Sequence, residues 1–122
     1  MSRAEIVIPC YNEFGNIEKL YVECCRIVEL SNGSINFILV NNGSTDETSK
    51  FFESNQNSGF GVRFVAIESN QGYGGGILAG LAVSSADYIG WTHADLQTPL
   101  IDCLRAIEIL KMDSCYWNID RS

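Results

Sequence analysis

The chain has 122 residues, 46% hydrophobic and 19% charged, enough for one domain with its own core and too apolar for a disordered chain. Its formal net charge of −7, with no Lys/Arg cluster, excludes a general nucleic-acid binder. An anionic ligand would have to be held by backbone N–H groups, helix N-termini or a metal ion. Five cysteines (Cys10, Cys24, Cys25, Cys103 and Cys115) lack C-x-x-C spacing, and the first residues carry no secretory signal. Reduced, buried thiols in a cytoplasmic protein are therefore expected. No apolar run approaches the ~18 residues needed to cross a bilayer.

The apolar runs 6–8, 37–40, 62–67 and 88–91 are predicted strands, nearly continuous rather than alternating, as suits strands covered on both faces. Helical patterns fall between them. Ile17, Leu20, Tyr21, Cys24, Ile27 and Val28 form a stripe that should stop near Asn32-Gly33. Ser44 and Glu47 have capping-box spacing and should open a second helix running to about Ser54. Ile77, Leu78, Leu81 and Ala82 mark a third. Thr98-Pro99 opens a fourth, carried by Leu100, Leu104, Ile107 and Leu110. The order β-α-β-α-β-α-β-α predicts an α/β fold: three layers, α/β/α, around a mostly parallel sheet with right-handed crossovers. Residues 1–111 form the expected domain, and 112–122, without a period, an irregular tail.

Open α/β sheets bind ligands beyond the carboxyl ends of their strands, and four equipped segments fall there. In Pro9-Cys10-Tyr11-Asn12-Glu13, Tyr11 could offer a ring to a flat base and Glu13 could accept from hydroxyls; the plainer reading is a turn with Tyr11 on the core. In Asn41-Asn42-Gly43-Ser44-Thr45-Asp46, either Asn could bond a base edge, whereas Ser44 and Asp46 read as helix-start residues. Gly72, Gly74, Gly75 and Gly76 permit positive φ and bare N–H groups, so a pyrophosphate could approach. Gly74-x-Gly76-x-x-Ala79 also fits a loose dinucleotide fingerprint, but it follows the third strand rather than the first, and no Gly-Lys-Ser/Thr marks a P-loop. Lastly, His93, Asp95 and Gln97 stand at alternate positions past the fourth strand. If extended geometry persists they share one side, and their nitrogen and oxygen donors suit Mn2+ or Mg2+. A lone histidine is as often structural; Asp95 and Gln97 are what lift this one.

Taken together, the four segments resemble those of the family-2 glycosyltransferases with the GT-A fold, in order and approximate spacing from Ala4 to about Leu110. Ile8-Pro9-Cys10-Tyr11-Asn12-Glu13 resembles the family's P-x-Y-N-E. The Asn41 segment resembles D-D-G-S-x-D with both leading acids replaced, and residues 70–80 resemble N-x-G-x-G-G…G. The run 93–99 resembles D-A-D-L-Q-x-P. The glycine cluster leans toward the polyprenyl-phosphate (dolichyl-phosphate mannose synthase-like) sugar transferases. The resemblance implies that Pro9, Tyr11 and Glu13 seat the nucleotide, with Asn42 near the base, and that Gly74 and Gly75 let the chain pass close to the donor. Asp46, Asn70, Ala94 and Asp95 complete the implied donor-binding set, and His93, Asp95 and Gln97 inherit the metal role.

The implied activity is sugar transfer, with inversion, from a UDP or GDP sugar to a polyprenyl phosphate or a glycan, at the inner face of a membrane. Two departures matter. His93 replaces an acid of the metal motif, and family members run further, into the part that serves the acceptor. A nucleotide-sugar-binding fragment without turnover is therefore the alternative. A complementary chain, or a second copy paired through an uncovered sheet edge, is a further expected partner. With an imidazole in place of a carboxylate, Mn2+ should bind better than Mg2+, and affinity should fall between about pH 8 and pH 5, because imidazole ligates only as the neutral base. Metal titrations at both pH values check this; a flat affinity contradicts it.

Overall fold

The computed structural model describes residues 3–56 and 61–94. It is built from β1 (Ala4–Cys10), α1 (Phe14–Leu30), β2 (Ile35–Asn42), α2 (Thr48–Asn55), β3 (Val62–Ile67), α3 (Gly72–Val83) and β4 (Tyr88–Trp91). The strands form one sheet in the order β3-β2-β1-β4, with every pair parallel. Each residue of β1 is buried, because alternate side chains enter different layers. Ile6, Ile8, Phe37 and Leu39 pack with Ile17, Leu20, Cys24 and Ile27 of α1 and Phe52 of α2. Val7, Ile38, Val40 and Ile89 pack with Ala79 and Leu81 of α3. The α/β/α layering expected from the sequence is thus present.

The helical stripe of α1 is as read, and its end is a Schellman motif. Asn32 (φ 53°) and Gly33 (φ 79°) turn left-handed, and the N–H groups of Gly33 and Asn32 donate to Val28 and Glu29. The start of α2 differs from expectation. Ser44 makes no capping box: its N–H donates to Asn41 Oδ1 (3.1 Å) and its Oγ accepts from the N–H of Asn12 (3.0 Å). The helix begins four residues later, at Thr48, whose N–H is taken by Asp46 Oδ1 (2.9 Å). β2 also runs past its apolar residues, because Asn41 and Asn42 pair in register with Cys10 and Ile67.

The glycine-rich segment is no open loop. Only Gly72 uses a left-handed conformation (φ 76°), and Gly74, Gly75 and Gly76 form the first turns of α3. The small residues serve close packing instead. A Cβ at Gly76 would lie 2.9 Å from Pro9 Cβ, and one at Gly80 would collide with the side chain of Val7. At its far end α3 is tied down by buried Glu5. Ser84 Oγ donates to Glu5 Oε1 (2.6 Å), and Arg63 pairs with Glu5 Oε2 (3.5 Å) while donating to Val83 O (2.9 Å).

β4 ends at Trp91, and the last sheet bond is Thr92 N–H to Val7 O (3.1 Å). Sheet pairing thus ends before His93, and Ala94 sits in a turn. Asp95, Gln97, the fourth helical pattern, Cys103, Cys115 and the tail 112–122 lie outside the described residues.

Gly80→Ala should destabilise the fold by about 1–3 kcal/mol. The helix-propensity gain of ~1 kcal/mol is outweighed because Val7 is fully buried and β-branched, with little room to turn. Urea unfolding of Gly80→Ala, Val7→Ala and the double variant checks this. The double should cost less than the sum of the singles by more than about 0.5 kcal/mol, and strict additivity would contradict the collision.

Candidate functional site

The carboxyl ends of β1, β2 and β4 meet the N-terminus of α3, and two sets of contacts rigidify this edge. The first joins the loops after β1 and β2. Asn12, left-handed at φ 52°, accepts from Thr45 N–H at Oδ1 (2.8 Å) and donates through Nδ2 to Thr45 Oγ1 (3.2 Å). Asp46 serves two helix starts at once, accepting from the N–H of Phe14 (3.4 Å) and of Thr48 (2.9 Å). Lost solvation raises its pKa, but hydrogen bonds from Thr48 and the backbone of Phe14 outweigh this and hold the carboxyl below its ordinary value.

The second set runs through the two asparagines. Asn41 donates to Ser49 Oγ (3.0 Å) and accepts from Ser44 N–H. Asn42, 3% exposed, accepts from Gln71 N–H (3.0 Å) and donates to Gly72 O (2.9 Å). An amide can do both, and a carboxylate at either position could not donate. Asn70 Oδ1 accepts from Gly72 N–H (2.7 Å), which completes the anchoring of α3.

Between these supports lies a cavity of about 190 Å3. Pro9, Tyr11, Glu13, Asn42, Asn70, His93 and Ala94, all read from the sequence as site residues, line it together with Cys10 and Tyr73. Tyr11 is 44% exposed, so it is not packed on the core. Glu13 makes no side-chain capping bond to α1, which leaves its carboxylate to the cavity. Cys10 is buried and donates to Ile8 O (3.4 Å); burial, then the charge of Glu13, pushes its thiol far up, so it offers no thiolate. The ring of Tyr73 stacks on His93 with centroids 4.8 Å apart and planes 16° from parallel. Sequence reasoning missed Tyr73, whose one signal was an aromatic residue inside a glycine run.

Gly74, Gly75 and Asp46 do not line the cavity. Gly74 faces open space, Gly75 sits against Gln71, and the Asp46 carboxylate is engaged at the helix starts. Among the described residues no group of three His, Cys, Asp or Glu is placed to hold a metal ion. A larger concavity, about 1010 Å3, lies on the flank between α1 and α2, lined in part by Phe14, Val22 and Phe51. It lies off the strand ends, away from the edge at which open α/β sheets bind ligands.

The model of glycosyl transferase family 2 matches residues 5–115. The chain belongs to that family. Among curated proteins, the undecaprenyl-phosphate 4-deoxy-4-formamido-L-arabinose transferase of Sodalis glossinidius (strain morsitans) is 28% identical over 115 residues, covering 93% of this chain and 35% of that one. The mannosyltransferase PcManGT from Pyrobaculum calidifontis, solved with GDP-Man and Mn2+, superposes with a TM-score of 0.73 at 21% identity, over 88% of this chain and 32% of that one. Glucosyl-3-phosphoglycerate synthase from Mycobacterium tuberculosis, solved with Mn2+, UDP and glucosyl-3-phosphoglycerate, gives 0.66 at 23% identity, over 89% and 40%. The fold is therefore that of the GT-A transferases, and the chain spans about a third of the curated relatives it matches.

A depressed carboxyl pKa makes stability depend on pH in one direction. The Asp46 contribution should be fully present above the ordinary aspartate value of about 3.9 and lost as pH falls through its lower folded value. In urea unfolding from neutral pH downward, Asp46→Asn should flatten that acid limb. An identical limb in both proteins would contradict the double capping.

Proposed function

We propose that this chain carries the donor side of a metal-dependent glycosyltransferase. It would bind a UDP or GDP sugar for transfer to an acceptor, with polyprenyl phosphate the acceptor best supported by the name of the Sodalis relative. The observation that carries this reading is the convergence of Tyr11, Glu13, Asn42, Asn70 and His93 on one cavity at the sheet's carboxyl edge, in a family-2 chain. At about 190 Å3 the cavity is smaller than the roughly 300–1,000 Å3 usual for small-molecule sites, so it holds part of such a donor. Tyr11 supplies a ring face for the base and Glu13 an acceptor for hydroxyls. The start of α3 borders the cavity at Tyr73, and a diphosphate reaching past the cavity would meet the first turn of this helix, where no side chain at Gly74 obstructs the approach.

The donors His93, Asp95 and Gln97 fit Mn2+ or Mg2+ by type, and the His93 imidazole stands exposed at the cavity wall. Bound there, the ion would offset charge on the departing diphosphate. In the transfer, an acceptor oxygen forms the bond to the anomeric carbon as the bond to the diphosphate breaks. A phosphate acceptor is already anionic and needs no strong base. Such an acceptor sets the work at a membrane surface, and no helix among the described residues is long and apolar enough to cross one. Acceptor-side groups would come from a longer protein, a second copy or a complementary chain. The replacement of a metal-motif acid by His93 favours one other reading, donor binding without turnover, which donor hydrolysis would distinguish.

Calorimetric titration with UDP and GDP, each with Mn2+ and again with EDTA, tests the proposal. One nucleotide should bind with metal and fail with EDTA, and Tyr11→Ala should cost about 1–3 kcal/mol of that affinity. Absence of binding by the folded chain would overturn it.

A further inference from the structure

We infer that Tyr73 is a positioning residue that holds the His93 imidazole edge-on to a divalent cation, leaving both ring nitrogens open to it. The inference deepens the donor-site reading and rests on it. His93 follows β4 by two residues, beyond the last sheet bond, and is exposed. A histidine so placed samples several rotamers, and fixing one costs on the order of 1 kcal/mol. Stacked at 4.8 Å and 16°, Tyr73 restricts that freedom before any ligand arrives.

The kind of contact decides its use. Imidazole coordinates metals through lone pairs on Nδ1 and Nε2 that lie in the ring plane. A hydrogen bond that fixed the ring would occupy one nitrogen, whereas a stack occupies only a face. Tyr73 is in turn held from the sheet. It is the second residue of α3, whose start is pinned by Asn42 through Gln71 N–H and Gly72 O, and by Asn70 through Gly72 N–H. Orientation thus passes from the end of β2, through α3, to a ring beyond β4. The stack is not core packing, because Tyr73 is 42% exposed, so its removal should leave the fold intact.

His93 is the one histidine of the sequence, which makes its ring C–H signals unambiguous in a proton–carbon correlation spectrum. Without metal, those signals should be displaced upfield by the Tyr73 ring in the wild type and in Tyr73→Phe, and lie at ordinary positions in Tyr73→Ala and Tyr73→Leu. Mn2+ alone should then broaden them, with a midpoint about fivefold higher in Tyr73→Ala and Tyr73→Leu, equivalent to about 1 kcal/mol. Tyr73→Phe should match the wild type. Equal midpoints in wild type and Tyr73→Ala would overturn the positioning role while leaving the donor site standing. A Tyr73→Phe protein as weak as Tyr73→Ala would overturn it too, by assigning the effect to the hydroxyl. Wild-type His93 signals that stay sharp at high Mn2+ would overturn both readings.

Discussion

How closely α3 lies on β1 governs the rest of the site. Gly76 and Gly80, one turn apart, leave no side chain between the helix and Pro9, Asn42 or Val7. Glycine inside a helix costs about 1 kcal/mol relative to alanine, so a run of them is unfavourable unless packing recovers the loss. Here the buried layer of Val7, Ile38, Val40 and Ile89 does so, and the helix is fastened at both ends. Asn42 and Asn70 hold its start, while Glu5, Ser84 and Arg63 hold its exit. A bulkier contact face would lift the helix start away from the strand ends, and the cavity wall contributed by Tyr73 would move with it.

A second constraint acts across the neighbouring loops. Asn12 and Thr45 bond reciprocally, and Asp46 joins the starts of α1 and α2. The residues that resemble a ligand-binding signature at this edge therefore divide into two kinds. Asn12, Asn41, Ser44 and Asp46 spend their polar atoms on one another and on helix starts. Tyr11, Glu13 and His93 line the cavity and remain exposed or half-buried. The first group sets the geometry that the second group uses.

Much of the fold was legible because hydrophobic runs and helical stripes report burial directly. All four strands, the α1 stripe and the parallel order follow from those patterns. The start of α2 was not legible. Ser44 and Glu47 have the spacing of a capping box, but the choice between Ser44 and Asp46 depends on where Asn12 and Asn41 sit, which only tertiary structure decides. The glycine run misled for a related reason. Sequence shows that glycine can adopt positive φ, not whether it is there for conformation or for lack of a side chain, and Gly72 and Gly76 answer differently. Of the site, seven of the residues read from sequence line one cavity, while Tyr73 escaped notice because stacking on His93 spans two elements distant in the chain.

The substituted acids alter the electrostatics of the proposed donor site in two opposed ways. Relative to the pattern the chain resembles, Asn41, Asn42 and His93 each stand where a carboxylate would. Two unit charges 4 Å apart interact by about 4 kcal/mol at an effective dielectric of 20, so each missing carboxylate weakens the hold on a cation and equally relieves repulsion of a diphosphate. In a chain of net charge −7 the second effect is not small. In the proposed site it would shift the burden of binding a diphosphate from the metal toward neutral groups such as the start of α3, which the Asn42 amide holds in place. Asn42 can do this only as an amide, since its link to Gly72 O requires a donor. The substitution that reduces the proposed site's negative charge is thus also the one that holds the start of α3 in position.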